Sequence, residues 1–307
     1  PNNKDFLDTL EVYDSSTDTW ATKASVPVAR NDMGFTFNPA NGKFYFGGGY
    51  NNGLFSDFFE YDPVSNVWTM KASLPTVRAG LRLAAGQNGK IYAIGGCFLN
   101  QQCETNVQEY DPTTNQWTIK SAIPNTRADH GLVTAPNGKI YMIGGGGYPG
   151  GVSTILNSVD EYDPITDTWV TKQPLNNARL NPGFSVNSNG NIYVVGGSDS
   201  LVIQHYTTSV EEYDVGMNTW TTRSQFPIGL HATGMALGSD DKVYVIGGQS
   251  VESSALNTNY AGFVPTGVAQ LTSLSPAKVW VGLKNISNIR AKFDLKAEVY
   301  KDNILIS

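Results

Sequence analysis

A pattern of tyrosine, paired glycines and tryptophan recurs five times in this 307-residue chain and constrains its fold more than any other feature. The motif Tyr-x-x-Gly-Gly begins at Tyr45, Tyr92, Tyr141, Tyr193 and Tyr244. A second motif, Tyr-Asp with a tryptophan seven residues after the tyrosine, ends at Trp20, Trp68, Trp117, Trp169 and Trp220. The distance from each tryptophan to the next Tyr-x-x-Gly-Gly tyrosine is 24 or 25 residues. A repeat held this closely decides the architecture before local propensities do.

Each repeat reads as four short strands, which we name A to D in chain order. Strand A is a small apolar run such as Gly131-Leu132-Val133. An Asn-Gly pair such as Asn88-Gly89 follows and predicts a type I′ turn with two positive φ angles. Strand B is the Ile-Tyr-x-Ile run, and its closing Gly-Gly predicts positive φ or a close backbone approach. Strand C ends at Tyr-Asp, whose aspartate we expect to cap the next turn, and strand D carries the tryptophan.

These motifs resemble the kelch repeat over about residues 6–248, and the resemblance implies a β-propeller with one four-stranded blade per repeat. The chain begins with strands C and D (residues 7–12 and 20–23) and ends the fifth Gly-Gly with strands A and B only. Joining these halves predicts five closed blades, the closing blade being shared by the two ends. A sixth blade is possible if upstream residues are missing, since kelch propellers more often have six or seven.

Three segments follow from this division: a propeller at 1–248, a linker at 249–276 and a partial β-sandwich at 277–307. The linker is rich in Ser, Asn, Thr and Gly. In the last segment, residues 278–283 and 292–299 alternate in polarity as strands do, and residues 304–306 add a third strand. This segment resembles the start of an immunoglobulin-like module. Because two or three strands are marginal alone, it could join a second copy of the chain.

Composition excludes some function classes. A net charge of −6 and a pI near 5.1 argue against nucleic-acid binding, which needs a basic surface. No run of 18 apolar residues predicts a transmembrane helix. The two cysteines, Cys97 and Cys103, lie in one loop between strands B and C, and a disulfide between them would suit an oxidising compartment. We therefore expect a secreted or cell-surface protein, with free thiols as the alternative.

The loop between strands B and C is the connection whose length varies: the second glycine precedes the next Tyr-Asp by 12 to 17 residues. We call these the BC loops, and they share one face with the DA loops, which connect strand D to the next strand A. Variable loops on a rigid scaffold are typical of binding sites. The candidate ligand-binding residues in these loops are Tyr50, Phe98, Tyr148, His205 and Tyr206.

The DA loops hold an arginine in four of five repeats: Arg30, Arg78, Arg127 and Arg179. Arranged around the channel mouth, these guanidiniums could bind an anionic ligand. The alternative is that each arginine braces its blade through backbone carbonyls or an aspartate. Arg82 breaks the pattern, because the other repeats have glycine there, and we expect it to point into the channel.

Two other candidates, His130 and His231, raise enzymatic alternatives. A copper-radical oxidase of the galactose-oxidase type is disfavoured, because both cysteines lie in a peripheral loop. A protein like the sialic-acid mutarotases needs little beyond an arginine-lined pocket. We predict no metal and no cofactor. The favoured function is non-catalytic recognition of a protein or glycan on the BC-loop face; the alternatives are a structural subunit joined through residues 278–307 and, third, a sugar-modifying enzyme.

Overall fold

The computed structural model describes residues 8–14, 19–99, 102–147, 153–201, 205–237, 243–246, 248–250, 259–262, 299–301 and 304–306. Within these ranges the chain forms β-strands and no helix, so none of the described segments is a helix that could cross a membrane. The strands in chain order are β1 (Leu10–Asp14), β2 (Thr19–Lys23), β3 (Gly34–Asn38), β4 (Lys43–Gly47), β5 (Phe58–Asp62), β6 (Val67–Lys71), β7 (Arg82–Ala85), β8 (Ile91–Ile94), β9 (Asn106–Asp111), β10 (Gln116–Ala122), β11 (Arg127–Ala128), β12 (Gly131–Thr134), β13 (Ile140–Ile143), β14 (Gly146–Gly147), β15 (Thr154–Ile155), β16 (Val159–Asp163), β17 (Thr168–Lys172), β18 (Gly183–Val186), β19 (Ile192–Val195), β20 (Val210–Asp214), β21 (Thr219–Arg223), β22 (Gly234–Leu237), β23 (Val243–Ile246), β24 (Asn259–Gly262), β25 (Val299–Lys301) and β26 (Ile304–Ile306).

Four complete antiparallel blades confirm the predicted all-β propeller. Their sheets run β3-β4-β5-β6, β7-β8-β9-β10, β12-β13-β16-β17 and β18-β19-β20-β21. We number these blades one to four. Each A strand contacts the A strand of the next blade, from β3 through β7, β12 and β18 to β22. The A strands therefore surround the central axis and the D strands lie outermost.

The core lies between blades rather than inside one sheet. The B strand of blade two, Ile91–Ile94, is buried along its whole length, because neighbouring blades cover both of its faces. Tyr92 packs against Tyr162 of blade three with ring centroids 5.8 Å apart. The repeated tryptophans tie neighbours together: Trp117 donates its indole N–H to the carbonyl of Ala72 at 2.7 Å. The recurring aromatic residues are thus packing residues.

The Gly-Gly pair links each blade to the next. Gly95 and Gly96 both have positive φ, of 65° and 89°, as the motif predicts. The N–H of Gly96 donates to the carbonyl of Arg127 in the following blade at 2.9 Å. A Cβ on Gly95 would lie 2.5 Å from that same carbonyl oxygen. Glycine is needed here for both conformation and space.

The AB turns differ from the prediction. In blade two the N–H of Gly89 donates to the carbonyl of Gly86 at 3.0 Å, and Gly89 has a φ of 77°. Asn88 is not among the residues with positive φ, so the turn is not type I′. Its pattern is a type I turn followed by a glycine in the left-handed region. The capping prediction holds: Asp111 accepts the N–H of Thr113 at 2.8 Å.

The joint closing blade that the sequence predicted is not formed. Strand β23 pairs with β24, so residues 259–262 take the C position that had been assigned to the start of the chain. Strands β1 and β2 form a separate sheet. It lies beside blade one as an outer strand pair, since Trp68 donates to the carbonyl of Ala24 at 2.9 Å, as Trp117 does to Ala72. The two ends therefore contribute to two different blades.

Strand β24 was missed because it has no Tyr-Asp motif. It begins 11 residues after Gly248, within the 9 to 14 residues that separate the Gly-Gly pair from strand C in the complete blades. Local pairing after a short connection is favoured over pairing with a distant segment. Four residues of the predicted linker thus belong to a blade, and the boundaries at 248 and 276 stay a prediction.

The predicted C-terminal strand at 304–306 is present as β26, which pairs with β25. Residues 278–283 and 292–298, the other predicted strands of the immunoglobulin-like segment, lie outside the described residues. The sandwich interpretation therefore stays a prediction.

Candidate functional site: the mouth of the central channel

The DA loops are joined by a series of four backbone hydrogen bonds along the channel mouth. In four of the five loops one residue donates its N–H to the carbonyl of the equivalent residue in the preceding blade. The donor–acceptor pairs are Gly80 to Asp32 at 2.8 Å, Asp129 to Gly80 at 3.0 Å, Asn181 to Asp129 at 2.7 Å and Ala232 to Asn181 at 3.0 Å. We call these five residues the mouth ring. All five have positive φ, between 44° and 69°, which suits Gly, Asn and Asp.

The arginines two residues before the mouth ring point away from it. Arg127 has no exposed surface and is ion-paired to Asp160, which is also fully buried. It further donates to the carbonyls of Asn125 at 2.9 Å, Gly144 at 3.1 Å and Ser158 at 2.9 Å. Burial lowers the pKa of Arg127, and Asp160 opposes that effect. Every group on this guanidinium is used within the blade.

Three further arginines lie in the same way. Arg30 pairs with Asp57 and stacks on Phe55 at 3.9 Å, and Arg179 pairs with Glu211. Arg78 donates to Gln108 at 2.8 Å, and burial lowers its pKa to about 10. Their contacts are those of the bracing alternative. Because their guanidiniums are enclosed, we do not place these four arginines at a ligand site.

Arg82 reaches across the channel, as expected from its position on the innermost strand. Its Nη2 donates to the Oδ1 of Asn181, at 2.7 Å, although Asn181 belongs to the DA loop two blades further on. Its Nη1 donates to the carbonyl of Leu81 at 3.3 Å. At the equivalent position Gly183 leaves no space, because a Cβ there would lie 2.4 Å from the sulfur of Met235. Arg82 thus closes the floor beneath the mouth ring.

Three titratable groups near Arg82 have altered affinities for protons. Burial, followed by the positive charges of Arg82 and Arg127, lowers the pKa of His130 well below its usual value. Burial is also the main cause that lowers the pKa of His231. Burial raises the pKa of Asp129, with Asp32 adding to the effect and Arg82 opposing it. Both histidines are therefore neutral near pH 7.

The BC loops are fixed by small three-stranded ladders on the mouth face. In blade three, β14 lies between β11 of the DA loop and β15. In blade two, Cys97 is bridged both to Ala79 and to Cys103. The predicted disulfide joins Cys97 and Cys103, so neither sulfur is free to form another cross-link. The described parts of these BC loops are therefore held against the DA loops by strand pairing.

These hairpins and the mouth ring enclose a pocket of about 330 Å³. Its base includes Asp32, Gly80 and Asp129, and Leu180 lies beside them. Its rim residues are Tyr50, Leu54, Phe98, Leu99 and Leu201. Leu99 is 73% exposed and Leu201 is 50% exposed. An open apolar rim above two carboxylates is suited to binding rather than to core packing.

Comparison with known proteins agrees with this architecture. The model of the KLHDC2/KLHL20/DRC7 Kelch-repeats domain matches residues 2–188, and a Kelch motif model matches residues 184–227. The chain belongs to the kelch-repeat family. Mouse Kelch-like protein 35 is 32% identical over 93 residues, which are 30% of this chain and 16% of that protein. Human Kelch-like protein 28 is 29% identical over 112 residues, 35% of this chain and 19% of that protein. The chain thus spans less than a fifth of the length of these kelch relatives.

The solved structure of YjhT is also similar, with a TM-score of 0.71 at 17% sequence identity. The match covers 85% of this kelch chain and 95% of the YjhT chain. At this identity the similarity shows the shared propeller fold.

The other candidate residues of the kelch chain divide between rim and core. Tyr50 and Phe98 line the pocket. Tyr206 stacks on His231 with ring centroids 4.9 Å apart, and the exposed His205 contacts Asp199. His130 is fully buried, with no hydrogen-bond partner for either ring nitrogen. Tyr148 lies outside the described residues.

Sequence reasoning missed the mouth ring and the apolar rim of this kelch mouth. The available signal was the position two residues after each arginine, which holds Asp, Gly, Asp, Asn and Ala in successive repeats. A recurring site with changing identity marks the place where side chains are free to vary. Among the described residues no three His, Cys, Asp or Glu side chains converge as a metal site would require.

Proposed function

We propose that this kelch propeller is a non-catalytic recognition module that binds a segment of another protein in the mouth pocket. The pocket itself carries the proposal: it is concave, preformed by hydrogen-bonded loops, and rimmed by exposed apolar side chains. Exposed apolar groups around a polar base are characteristic of interaction sites. The disulfide at the rim supports an extracellular or cell-surface location.

The test is binding to a peptide array that presents random segments, with the purified chain as the probe. Leu99→Ala combined with Leu201→Ala should abolish most of the bound signal, since rim contacts of this kind each contribute roughly 1 kcal/mol or more. The matched control is Ile165→Ala with Met217→Ala. These residues are 89% and 73% exposed in the CD turns, at the opposite end of the blades. Equal losses of bound signal in the two double variants would contradict the proposal.

A glycan ligand is the other outcome of this experiment. A glycan array run with the same variants distinguishes the two, because binding that depends on Leu99 and Leu201 would then appear on sugars and not on peptides. Assembly through residues 278–307 is tested separately by light scattering. A monomeric mass at high protein concentration would exclude it.

A sugar-modifying enzyme is a second candidate, favoured by one observation. The carboxyl group of Asp129 is buried with a raised pKa beside Arg82, which is how general acids and bases are tuned. Interconversion of sialic-acid anomers, followed by NMR with the chain and with Asp129→Asn, tests this candidate. A rate that equals the uncatalysed rate with the unaltered chain would exclude it.

A further inference from the structure

The acidic base of the mouth pocket is set by two neighbouring links of the mouth ring. Asp32 and Asp129 flank Gly80, whose N–H donates to Asp32 and whose carbonyl accepts from Asp129. Gly80 places no side chain between them: a Cβ there would lie 3.2 Å from Asp129 Oδ1. Two carboxylates therefore share one cavity.

They differ from the buried acids of the blades: Asp32 is exposed, and Asp129 is partly buried with the side chain of Asn181 as a hydrogen-bond partner. Asp160 and Glu211 are paired with arginines, and Glu109 with Lys90 at 2.8 Å. Among the described residues neither Asp32 nor Asp129 has an ion pair within 4 Å. Asp129 Oδ1 is inaccessible and has no hydrogen-bond partner. A buried acceptor without a donor is costly.

Arg82 does not complete this site. Its two terminal nitrogens are used by the Asn181 side chain and the Leu81 carbonyl, below the ring. Among the described residues that line the pocket, the charged side chains are Asp32 and Asp129. The cavity is therefore negative, which is the opposite of an arginine-lined mouth.

The apolar walls of the pocket fit the stem of a side chain whose charged end reaches these two carboxylates. Leu54, Phe98, Leu99 and Leu180 surround the space above the carboxylates. Lysine and arginine carry an apolar stem below a charged end, and the stem packs on apolar surface while the charge reaches a polar partner. A cavity of about 330 Å³ lies at the small end of the range for ligand pockets, which suits one long side chain.

We infer that the protein segment bound at the mouth inserts a lysine or arginine side chain between Asp32 and Asp129. This inference rests on the proposed function and specifies the chemistry of its partner. Charge pairing in a partly enclosed site adds specificity, because an acidic segment is repelled.

The test uses capped pentapeptides Gly-Gly-X-Gly-Gly with X as lysine, norleucine or glutamate, titrated into the whole chain and followed by NMR. Lysine should bind about tenfold or more tightly than norleucine, which has the apolar stem without the charge. Glutamate should not bind. Raising the salt concentration should weaken the binding of the lysine peptide and leave the binding of the norleucine peptide unchanged.

The variant is Asp32→Asn combined with Asp129→Asn, which should reduce lysine binding to the level of norleucine. Asparagine already occupies the same ring position at Asn181, with a φ of 44°, so the backbone tolerates it. The control is Asp111→Asn, which removes one negative charge from a CD turn at the opposite end of blade two. It should leave binding unchanged.

Equal binding of lysine and norleucine, tighter binding of glutamate, no binding of lysine, or an unaltered affinity in the double variant would each overturn the inference. The peptide array separates this result from the proposed function. Array ligands that depend on Leu99 but contain no basic residue overturn the inference alone. An array without any ligand that depends on Leu99 overturns the proposed function, whatever the lysine peptide does.

Discussion

The bracing arginines and the mouth ring lie two residues apart in the same loops, yet they differ in every respect that matters for function. Arg127 is fully buried and its charge is matched by Asp160. Asp129 sits at the pocket, with one oxygen unpartnered. The bracing position keeps its residue type in four repeats, whereas the ring position changes. Recurrence therefore accompanies enclosed, ion-paired side chains, and variation accompanies side chains at the channel mouth.

The acidic partner of a brace lies at the same position of strand C in two of the four repeats. Asp160 and Glu211 lie two residues before the tyrosine of Tyr-Asp in strand C, opposite the same register position of strand B. In the fifth repeat, where Leu230 replaces the arginine, that register position in β24 holds Tyr260. Arg78 instead has Gln108 at this position and Glu104 at 3.6 Å, and Arg30 pairs with Asp57. Each buried arginine thus keeps an acidic partner, as the cost of an unpaired buried ion requires.

The largest expected effect concerns two bracing arginines that differ in how many of their guanidinium nitrogens have a hydrogen-bond partner. Arg127→Met should destabilise the chain by about 3 kcal/mol or more, because it leaves Asp160 as an uncompensated buried charge. Arg78→Met should cost less, because its ion pair with the buried Glu104 is longer, at 3.6 Å, and Nε and Nη2 of Arg78 have no partner. Glu104 also keeps its hydrogen bonds to Thr76 and Gln108. Urea unfolding measures both, and equal losses would contradict this account of the braces.

The next effect concerns His130, which occupies the position that Leu81 holds in blade two. Its folded pKa is lowered, so the unfolded chain binds a proton that the folded chain does not. Stability is therefore fully present above the unfolded pKa of about 6.5 and is lost as the pH falls below it, by up to about 1.4 kcal/mol per pH unit.

His130→Leu should remove this part of the pH dependence and should raise stability at pH 5.5 more than at pH 7.5. Taking the difference between the two chains at each pH cancels the contributions of His231 and the carboxylates, which both chains share. Thermal unfolding across this range provides the measurement. A difference that does not change with pH would show that the ring titrates normally.

The smallest expected effect concerns the pocket. There the disulfide holds Phe98 and Leu99 at the rim. Replacing Cys97 and Cys103 together with serine should weaken peptide binding about threefold, because the free loop must be ordered when the ligand binds. Affinity for the lysine pentapeptide, measured with and without reductant on the unaltered chain, is the control. An effect of reductant on the serine variant would point to a cause other than this bond.

Much of the fold could be predicted because the repeat keeps its spacing. The four complete blades, both positive φ angles at Gly95 and Gly96, and the capping aspartates follow from motifs that act locally. Strand β24 could not be predicted, since its position depends on pairing with β23 and not on its own residues. The turn at Asn88 was wrong because Asn-Gly is compatible with two turn types, and the residues around it decide between them.

The site was predicted less well for a physical reason. Sequence shows which arginines recur, but not that their guanidiniums turn inward to Asp57, Asp160 and Glu211. It also does not show that Asp32 and Asp129, which are 97 positions apart, meet across a single glycine. Only the closing of the loops around an axis brings them together.

In the mouth ring, one backbone hydrogen bond joins each blade to the next at the channel mouth. Its four hydrogen bonds all run in one direction, from the N–H of one blade to the carbonyl of the preceding blade, and bonds in such a series polarise one another. Each link keeps the same left-handed backbone, whichever side chain it carries. Selection can exchange the side chain on one link without disturbing the next, so ligand preference can change in single steps on a frame that stays the same size.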